Sequence, residues 1–146
     1  MAKYIFQYSS IRQCLQAVLT IIVLFTMNNI AYAQQQKEPL VRISEIEIHP
    51  QYLEEYKSIL KEEAEASVRL EKGVVAIFPM FQKDNPVQVR ILEIYKDQLA
   101  YQAHLKTEHF LKYKTTTVQM VKSLKLVDMD ALDLETATQI FRKLIR

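Results

Sequence analysis

The residues best suited to proton-transfer chemistry are concentrated in one short segment of the chain, residues 93–113. This segment holds a glutamate, two of the three histidines and three of the eight tyrosines. Histidine is the side chain whose unperturbed pKa lies closest to neutral pH. Tyrosine adds a hydroxyl donor, and glutamate adds a charged acceptor. The segment therefore predicts a candidate catalytic group made of His104, Tyr95 and Glu93.

Apolar and aromatic side chains near this group predict the walls of a substrate pocket. A positioned base is most effective in a site that excludes water and holds donors where charge develops. Aromatic residues three apart on a helix also pack together in cores, so core packing is the alternative for the last two of the following residues. The candidate substrate-binding residues are Phe78, Ile91, Tyr101, His109, Phe110 and Tyr113.

The spacing of the two histidines argues against a metal site. His104 and His109 are five residues apart, about 140° round a continuous helix. They would share a face only if the helix breaks near Thr107, whereas zinc pairs typically lie at i and i+4. We therefore do not predict a metal site at these two histidines. A structural or surface role is the alternative for His104, and a solvated or capping role is the alternative for His109.

Two acidic features require an interpretation of their own. Glu93 alternates onto the same strand face as Val89 and Tyr95, so it is either paired with a basic residue or held with a raised pKa. Arg90 points to the other face, so the partner of Glu93 is not obvious from sequence. The acidic run at residues 62–65 is interpreted as a solvated helix face.

Hydrophobic periodicity predicts the elements that would position these residues. The first helix starts at Pro50, which suits a first helical turn, and ends near Leu70. Asp97 and Thr107 are candidate caps for the later helices. The order is β-α-β-β-α-β, which is the ferredoxin-like α+β arrangement. The predicted strands cover 40–48, 74–81, 87–95 and 124–127, and the predicted helices cover 50–70, 98–105 and 108–122.

Three further signals refine this arrangement. Gly73, the only glycine, is predicted to end the first helix with a left-handed turn. Pro79 cannot donate a ladder hydrogen bond, so its strand is expected at a sheet edge or a bulge. Asp84, Asn85 and Pro86 predict the turn of a hairpin.

The first 33 residues have the pattern of a signal peptide. Lys3 and Arg12 give a positive start, residues 15–27 form an apolar run, and Ala31-Tyr32-Ala33 offers a small-x-small cleavage motif. The run is shorter than the roughly 20 residues that span a bilayer. We expect export to the periplasm or outside the cell, with cleavage after Ala33. A retained anchor is the alternative.

The remaining chain is electrically balanced and consists of one domain. Removing two of the 19 basic residues leaves 17 against 17 acidic ones, so the basic patch that nucleic acid requires is not expected. We divide the chain into a disordered arm (34–39), a domain (40–128) and a C-terminal helical extension (129–146). An apolar stripe within 134–145 predicts packing on the domain or on a dimer mate, and a membrane-surface helix is the alternative.

With this element order, the chain resembles the antibiotic biosynthesis monooxygenase family. The matching residues cover about 41–127: a Glu71-x-Gly73 motif, Pro86 in the hairpin, Glu93-x-Tyr95-x-Asp97-x-x-Ala100, His104, and His109-Phe110. The resemblance implies a small dimeric α/β barrel. It also implies cofactor-independent oxidation of a small quinol-like or phenolic aromatic compound by O₂.

This sequence departs from the family pattern at several positions. Tyr95 stands where a tryptophan is frequent, and Ser44 or Glu45 stands near the asparagine of some active members. Lys114 replaces the histidine of heme-degrading relatives, so iron ligation is not expected. Two other functions therefore stay open: a non-catalytic, dimeric ligand-binding or stress-associated module, and an isomerase of the same fold. For the isomerase, no phosphate clamp is evident.

Overall fold

The computed structural model describes Gln16 and residues 38–133. The predicted signal peptide, most of the predicted arm and the stripe within 134–145 lie outside the described residues. Within the described part of the chain, no helix is long and apolar enough to cross a membrane.

The described domain alternates strands and helices in the predicted order. The first strand leads through a short 3₁₀ helix into a long helix, and a hairpin of two strands then leads to two shorter helices and a last strand. The bounds are β1 Leu40–Ile48, the 3₁₀ helix Pro50–Tyr52, α1 Leu53–Leu70, β2 Val74–Phe81, β3 Gln88–Tyr95, α2 Gln98–His104, α3 Glu108–Thr117 and β4 Val121–Met129.

The four strands form one antiparallel sheet in the order β2-β3-β1-β4. This topology confirms the predicted ferredoxin-like α+β fold. β2, which contains Pro79, is an edge strand, as the missing donor requires. The hairpin also carries a register shift between Val74 and Ala76.

The apolar core lies between α1 and one face of the sheet. Along β1 and β3, every second side chain points toward this face of the sheet. α1 contributes its apolar stripe from the other side. The core cluster consists of Ile46, Ile48, Tyr56, Leu60, Val89, Ile91 and Met120.

The end of α3 differs from the prediction. A helix was expected to continue to residue 122, but α3 stops at Thr117 and β4 begins at Val121. The run Thr115–Val118 is β-branched, and such residues lose side-chain freedom in a helix. The Thr117 hydroxyl donates to the carbonyl of Tyr113 at 2.8 Å, and Val121 pairs with Ile48 in the sheet.

Gly73 has a different role from the predicted one. No glycine among the described residues has a positive φ, so the left-handed turn was wrong. A Cβ on Gly73 would instead lie 2.5 Å from the Cβ of Ala100. Glycine is needed because α2 packs directly against the backbone at this point.

Candidate active site

A cavity of about 430 Å³ opens between the sheet and the helices at one end of the core. Its walls come from the inner face of β1, β3 and β4, from α1, and from the α2–α3 segment. Most of the lining is apolar, and a few charged and hydroxyl groups converge inside. Volume and lining are both typical of a small-molecule site.

His104 stands in this cavity, and a carboxylate from another element fixes its ring. The residue is 2% exposed, and its Nδ1 lies 2.9 Å from Oε1 of Glu71, just after α1. Since a carboxylate only accepts, Nδ1 carries the proton and donates it. The ring of Phe110 packs at 4.6 Å between centroids, and the ring of Tyr95 packs at 5.4 Å.

A break between α2 and α3 brings the second histidine to the same carboxylate. α2 ends at His104, and the Thr107 hydroxyl donates to the His104 carbonyl at 2.8 Å. α3 then starts at Glu108, and Nε2 of His109 lies 2.6 Å from Oε1 of Glu71. The two histidines therefore share one acceptor although they are five residues apart.

Glu63 on α1 is a buried acid facing the same imidazole. It is 5% exposed and lines the cavity, so the prediction of a solvated face at 62–65 was wrong at this residue. Its Oε1 accepts from the Ser67 hydroxyl at 2.7 Å and lies 3.8 Å from Nε2 of His104. Burial raises the pKa of Glu63, and the Ser67 hydrogen bond only partly offsets this rise.

Glu93 is held by hydroxyl groups. Oε1 accepts from the hydroxyl of Ser44 on β1, and Oε2 accepts from the hydroxyl of Tyr95 at 2.9 Å. Burial, together with the neighbouring Glu93 charge, raises the pKa of Tyr95. Tyr95 therefore stays a neutral donor in the cavity wall, and the expected basic partner of Glu93 is replaced by two hydroxyls.

One cation reaches the cavity from β1. Arg42 is 8% exposed, and its Nε donates to Oδ1 of Asp128 at 2.6 Å. The guanidinium carbon lies 4.5 Å from the ring centroid of Tyr101 on α2. Burial alone would lower the pKa of Arg42, but the Asp128 hydrogen bond and charge and the Tyr101 interaction raise it. Arg42 thus keeps a fixed positive charge in the wall.

Seven of the nine predicted site residues line this one cavity. The two others do not line it. Phe78 is 49% exposed and pairs in register with Leu92 on the opposite sheet face. His109 is hydrogen-bonded to Glu71 outside the cavity lining. The seven are Ile91, Glu93, Tyr95, Tyr101, His104, Phe110 and Tyr113.

Among the residues that sequence reasoning missed, the most important for the chemistry are Glu63 and Arg42, together with the acceptor role of Glu71. For Glu63 a signal existed, because it stands seven residues after Tyr56 and three after Leu60 on the apolar stripe of α1. Arg42 shares one face of β1 with Ser44 and Ile46, but both faces of this strand mix apolar and polar residues, so alternation alone does not show which face is buried. No local pattern marks Glu71 as a partner of residues 33 and 38 positions away.

Comparison with known proteins places this fold in a family. The sequence profile of antibiotic biosynthesis monooxygenases matches residues 39–116, which is more than half of the chain. The chain belongs to this family. None of the curated proteins compared matches it.

Solved structures agree with the family assignment. A Bacteroides thetaiotaomicron protein, assigned provisionally as an antibiotic biosynthesis monooxygenase, is 47% identical with a TM-score of 0.65. The match covers 67% of this chain and 93% of that one. A protein from Lactobacillus acidophilus, provisionally a monooxygenase, is 27% identical with a TM-score of 0.63; the match covers 65% of this chain and 45% of that one.

A third structure supports the fold alone. A Nitrosomonas europaea protein with the same provisional family assignment is 24% identical with a TM-score of 0.63. The match covers 68% of this chain and 95% of that one. The fold of antibiotic biosynthesis monooxygenases is thus shared at low identity, and the chemistry must be argued from this chain's own residues.

Proposed function

We propose that this protein is an exported, cofactor-independent monooxygenase that oxidises a small quinol-like or phenolic compound with O₂. The observation that carries the proposal is the buried imidazole of His104, held at Nδ1 by Glu71. Its other nitrogen, Nε2, faces Glu63, which lines the cavity. A histidine fixed in one tautomer by a carboxylate has its second nitrogen free to accept a proton.

Deprotonation is the step that makes oxygen chemistry accessible without a cofactor. His104 takes the phenolic proton, and the more electron-rich phenolate transfers one electron to O₂. The resulting radical pair recombines by forming a carbon–oxygen bond, and the imidazolium returns its proton to the peroxide. Breakage of the O–O bond then releases water, so one hydroquinone and one O₂ give one hydroxyquinone and one water. The ring supplies all four electrons.

The other cavity residues can stabilise the charges that form during these steps. Protonated His104 would lie between the carboxylates of Glu71 and Glu63, which stabilise its positive charge. Arg42 offers a fixed cation for the developing phenolate or peroxide. The aromatic walls at Tyr101 and Phe110 match a planar ring and keep water away from the reacting atoms.

The test is oxygen uptake with a panel of substituted hydroquinones and naphthohydroquinones, corrected for their spontaneous oxidation. His104→Ala is expected to lower turnover by about 100-fold or more, the usual range for loss of a general base. The matched control is His49→Ala, since His49 lies at the start of the 3₁₀ helix and outside the cavity. Use of ¹⁸O₂ should place one labelled atom in the product. Turnover that is absent, or equal in both variants, contradicts the proposal.

A non-catalytic binding module is the second candidate. The hydrogen bonding of the site favours it, because Glu93, Tyr95 and the two histidines all have partners within the protein. Such a network is also what a rigid binding pocket requires. Saturable quinol binding by calorimetry, without oxygen uptake under any condition of the panel, would identify this function.

Export and dimerisation are further parts of the proposal. Residues 1–33 support export by their composition, and mass spectrometry of the protein from the cell exterior or periplasm should give Gln34 as the first residue. A cytoplasmic protein beginning at Met1 contradicts export.

Support for a homodimer comes from the sheet face opposite α1. A cross-strand row of four apolar side chains runs across this face: Phe78, Leu92, Ile43 and Val127 are successive register partners. Rows of this kind bury well against a second sheet. Sedimentation should give a dimer at micromolar concentration, and Phe78→Asp should weaken it. A wild-type monomer contradicts this part.

A further inference from the structure

We propose that Glu71, His104 and His109 form a binding site for a divalent cation of the zinc class. The inference goes beyond the proposed function and does not rest on it. It starts from three donors that are chemically right for zinc: one carboxylate oxygen and two imidazole nitrogens. These donor atoms all lie within 4.8 Å of one another.

The distances require only a small adjustment. Oε1 of Glu71 lies 2.9 Å from Nδ1 of His104 and 2.6 Å from Nε2 of His109. Donors on a tetrahedral zinc ion are about 3.4 Å apart, from metal–ligand distances of about 2.1 Å. Binding therefore asks Oε1 of Glu71 to move away from each of the two nitrogens by about half an ångström to one ångström. The ion would replace the two protons that now bridge them.

The break at Thr107 is what makes such a site possible. On a continuous helix the two histidines would point in different directions. α2 instead ends at His104 and α3 begins at Glu108. Both nitrogens therefore converge on one oxygen, and the five-residue spacing does not prevent the two histidines from binding one ion.

A second carboxylate stands where zinc sites usually have one. A histidine bound to a metal typically donates its other N–H to a carboxylate, which orients the ring. Here Nε2 of His104 lies 3.8 Å from Oε1 of Glu63. Ser67 in turn donates to this oxygen at 2.7 Å. At 3.8 Å the two groups are not hydrogen-bonded, so His104 and Glu63 would have to approach each other when the ion binds.

The cluster is sheltered but reachable. The His104 side chain is 3% exposed, that of Glu71 11% and that of His109 20%. An ion can thus approach past His109, and solvent can supply a fourth ligand. With two nitrogen ligands the site suits zinc, nickel or copper, whereas magnesium prefers oxygen ligands alone.

Zinc binding and base catalysis would require opposite tautomers of His104. With a metal on Nδ1, the proton of the neutral ring moves to Nε2, and the ring cannot accept a proton from the cavity. Zinc would therefore inhibit the proposed oxygenation. This consequence rests on the proposed function, whereas the binding itself does not.

The test is titration of the chelator-treated, full-length protein with zinc chloride, followed by calorimetry and by thermal unfolding. We expect one zinc ion per chain, a higher melting temperature, and no such effect with magnesium chloride. His109→Ala and Glu71→Gln should each weaken zinc binding at least about tenfold, and Glu63→Gln should weaken it about tenfold. His49→Ala, the third histidine, should bind as the wild type does.

Three results would overturn the site. The first is absence of saturable zinc binding by the wild type, which would leave the cluster as a hydrogen-bonded brace between α1 and the α2–α3 segment. The second is unchanged affinity in both His109→Ala and Glu71→Gln. The third is loss of binding in His49→Ala. Because His109 is only half-buried, His109→Ala is the variant that tests the site if Glu71→Gln does not fold.

Discussion

The two ends of the inner sheet face have opposite chemistry although the same elements build both. At one end β1 supplies Ile48, β3 supplies Val89 and α1 supplies Tyr56, and the space between them is filled. At the other end the same elements supply Ser44, Glu93 and Glu63, and a cavity remains. In each of the three elements, the buried positions change from apolar to polar toward the cavity end.

This difference indicates how stability and chemistry are divided in the chain. Buried polar groups cost free energy unless they are hydrogen-bonded, so a site of this kind needs a packed region beside it. Within the described residues, every buried side-chain nitrogen or oxygen has a partner. The cavity end is therefore expected to contribute less to folding than the core end and more to function.

The largest expected effect is on the core end. Ile48→Ala removes a fully buried side chain that does not line the cavity. It should lower the free energy of unfolding by about 2–5 kcal/mol, because a cavity remains. Urea denaturation measures this loss. Oxygen uptake below the melting temperature should change little, and a selective loss of turnover would contradict the division.

The next effect concerns the spacing that places His104. Gly73→Ala sets a Cβ against Ala100, one helical turn before His104, and should cost about 1–3 kcal/mol through overpacking. The double variant Gly73→Ala with Ala100→Gly should recover much of this loss. Additive costs in the double variant would show that the contact does not limit the approach of α2.

A matched pair of substitutions compares the two ends directly. Tyr56→Phe removes the hydroxyl that lies 2.7 Å from the hydroxyl of Tyr113, and Tyr95→Phe removes the donor to Glu93. Each should cost about 1 kcal/mol of stability, the usual net value of a hydrogen bond. Tyr95→Phe should alter quinol binding or turnover more than Tyr56→Phe does, although Tyr113, the partner of Tyr56, also lines the cavity. Equal effects of the two substitutions on quinol binding and turnover would contradict the distinction between the core end and the cavity end.

The smallest effect is a change in how stability depends on pH. Glu63 has a pKa above its ordinary value of 4.5 in the folded protein, because it is buried. The unfolded chain therefore releases this proton at lower pH than the folded chain does. The contribution of Glu63 to stability is full below 4.5 and is lost as pH rises through the folded pKa.

Glu63→Gln should remove this dependence. Urea denaturation from pH 4 to pH 8 in chelating buffer should show the wild type losing stability relative to the variant as pH rises. Glu65→Gln, on the exposed side of α1, controls for the change in net charge. If the free energy of unfolding depends on pH in the same way for the wild type and Glu63→Gln, the raised pKa of Glu63 is contradicted.

Local patterns predicted the elements well but not their long-range partners. The bounds of β1 and β2 and the Asp97 cap were predicted correctly; Asp97 accepts from the amide of Ala100 at 2.7 Å. Alternation in β3 was enough to place Glu93 and Tyr95 on one face. The end of α3 was predicted five residues too late, because the β-branched run after Tyr113 was given too little weight.

The site was predicted only in part because its decisive contacts are distant in sequence. Glu71 and His104 are 33 residues apart, and Ser44 and Glu93 are 49 apart. Their meeting depends on the sheet register and on the angle between α2 and α3, and neither can be obtained from periodicity. The role of Gly73 was missed for the same reason, since its close neighbour Ala100 is on another element.

The account depends most directly on which nitrogen of His104 carries the proton. Long-range ¹H–¹⁵N NMR of the chelator-treated protein, at a pH where this ring is neutral, measures the tautomer, and His104→Ala assigns the signal. The account predicts a proton on Nδ1, bound to Glu71, and an unprotonated Nε2 toward the cavity. A neutral ring with its proton on Nε2 would contradict it, because no basic nitrogen would then face a substrate.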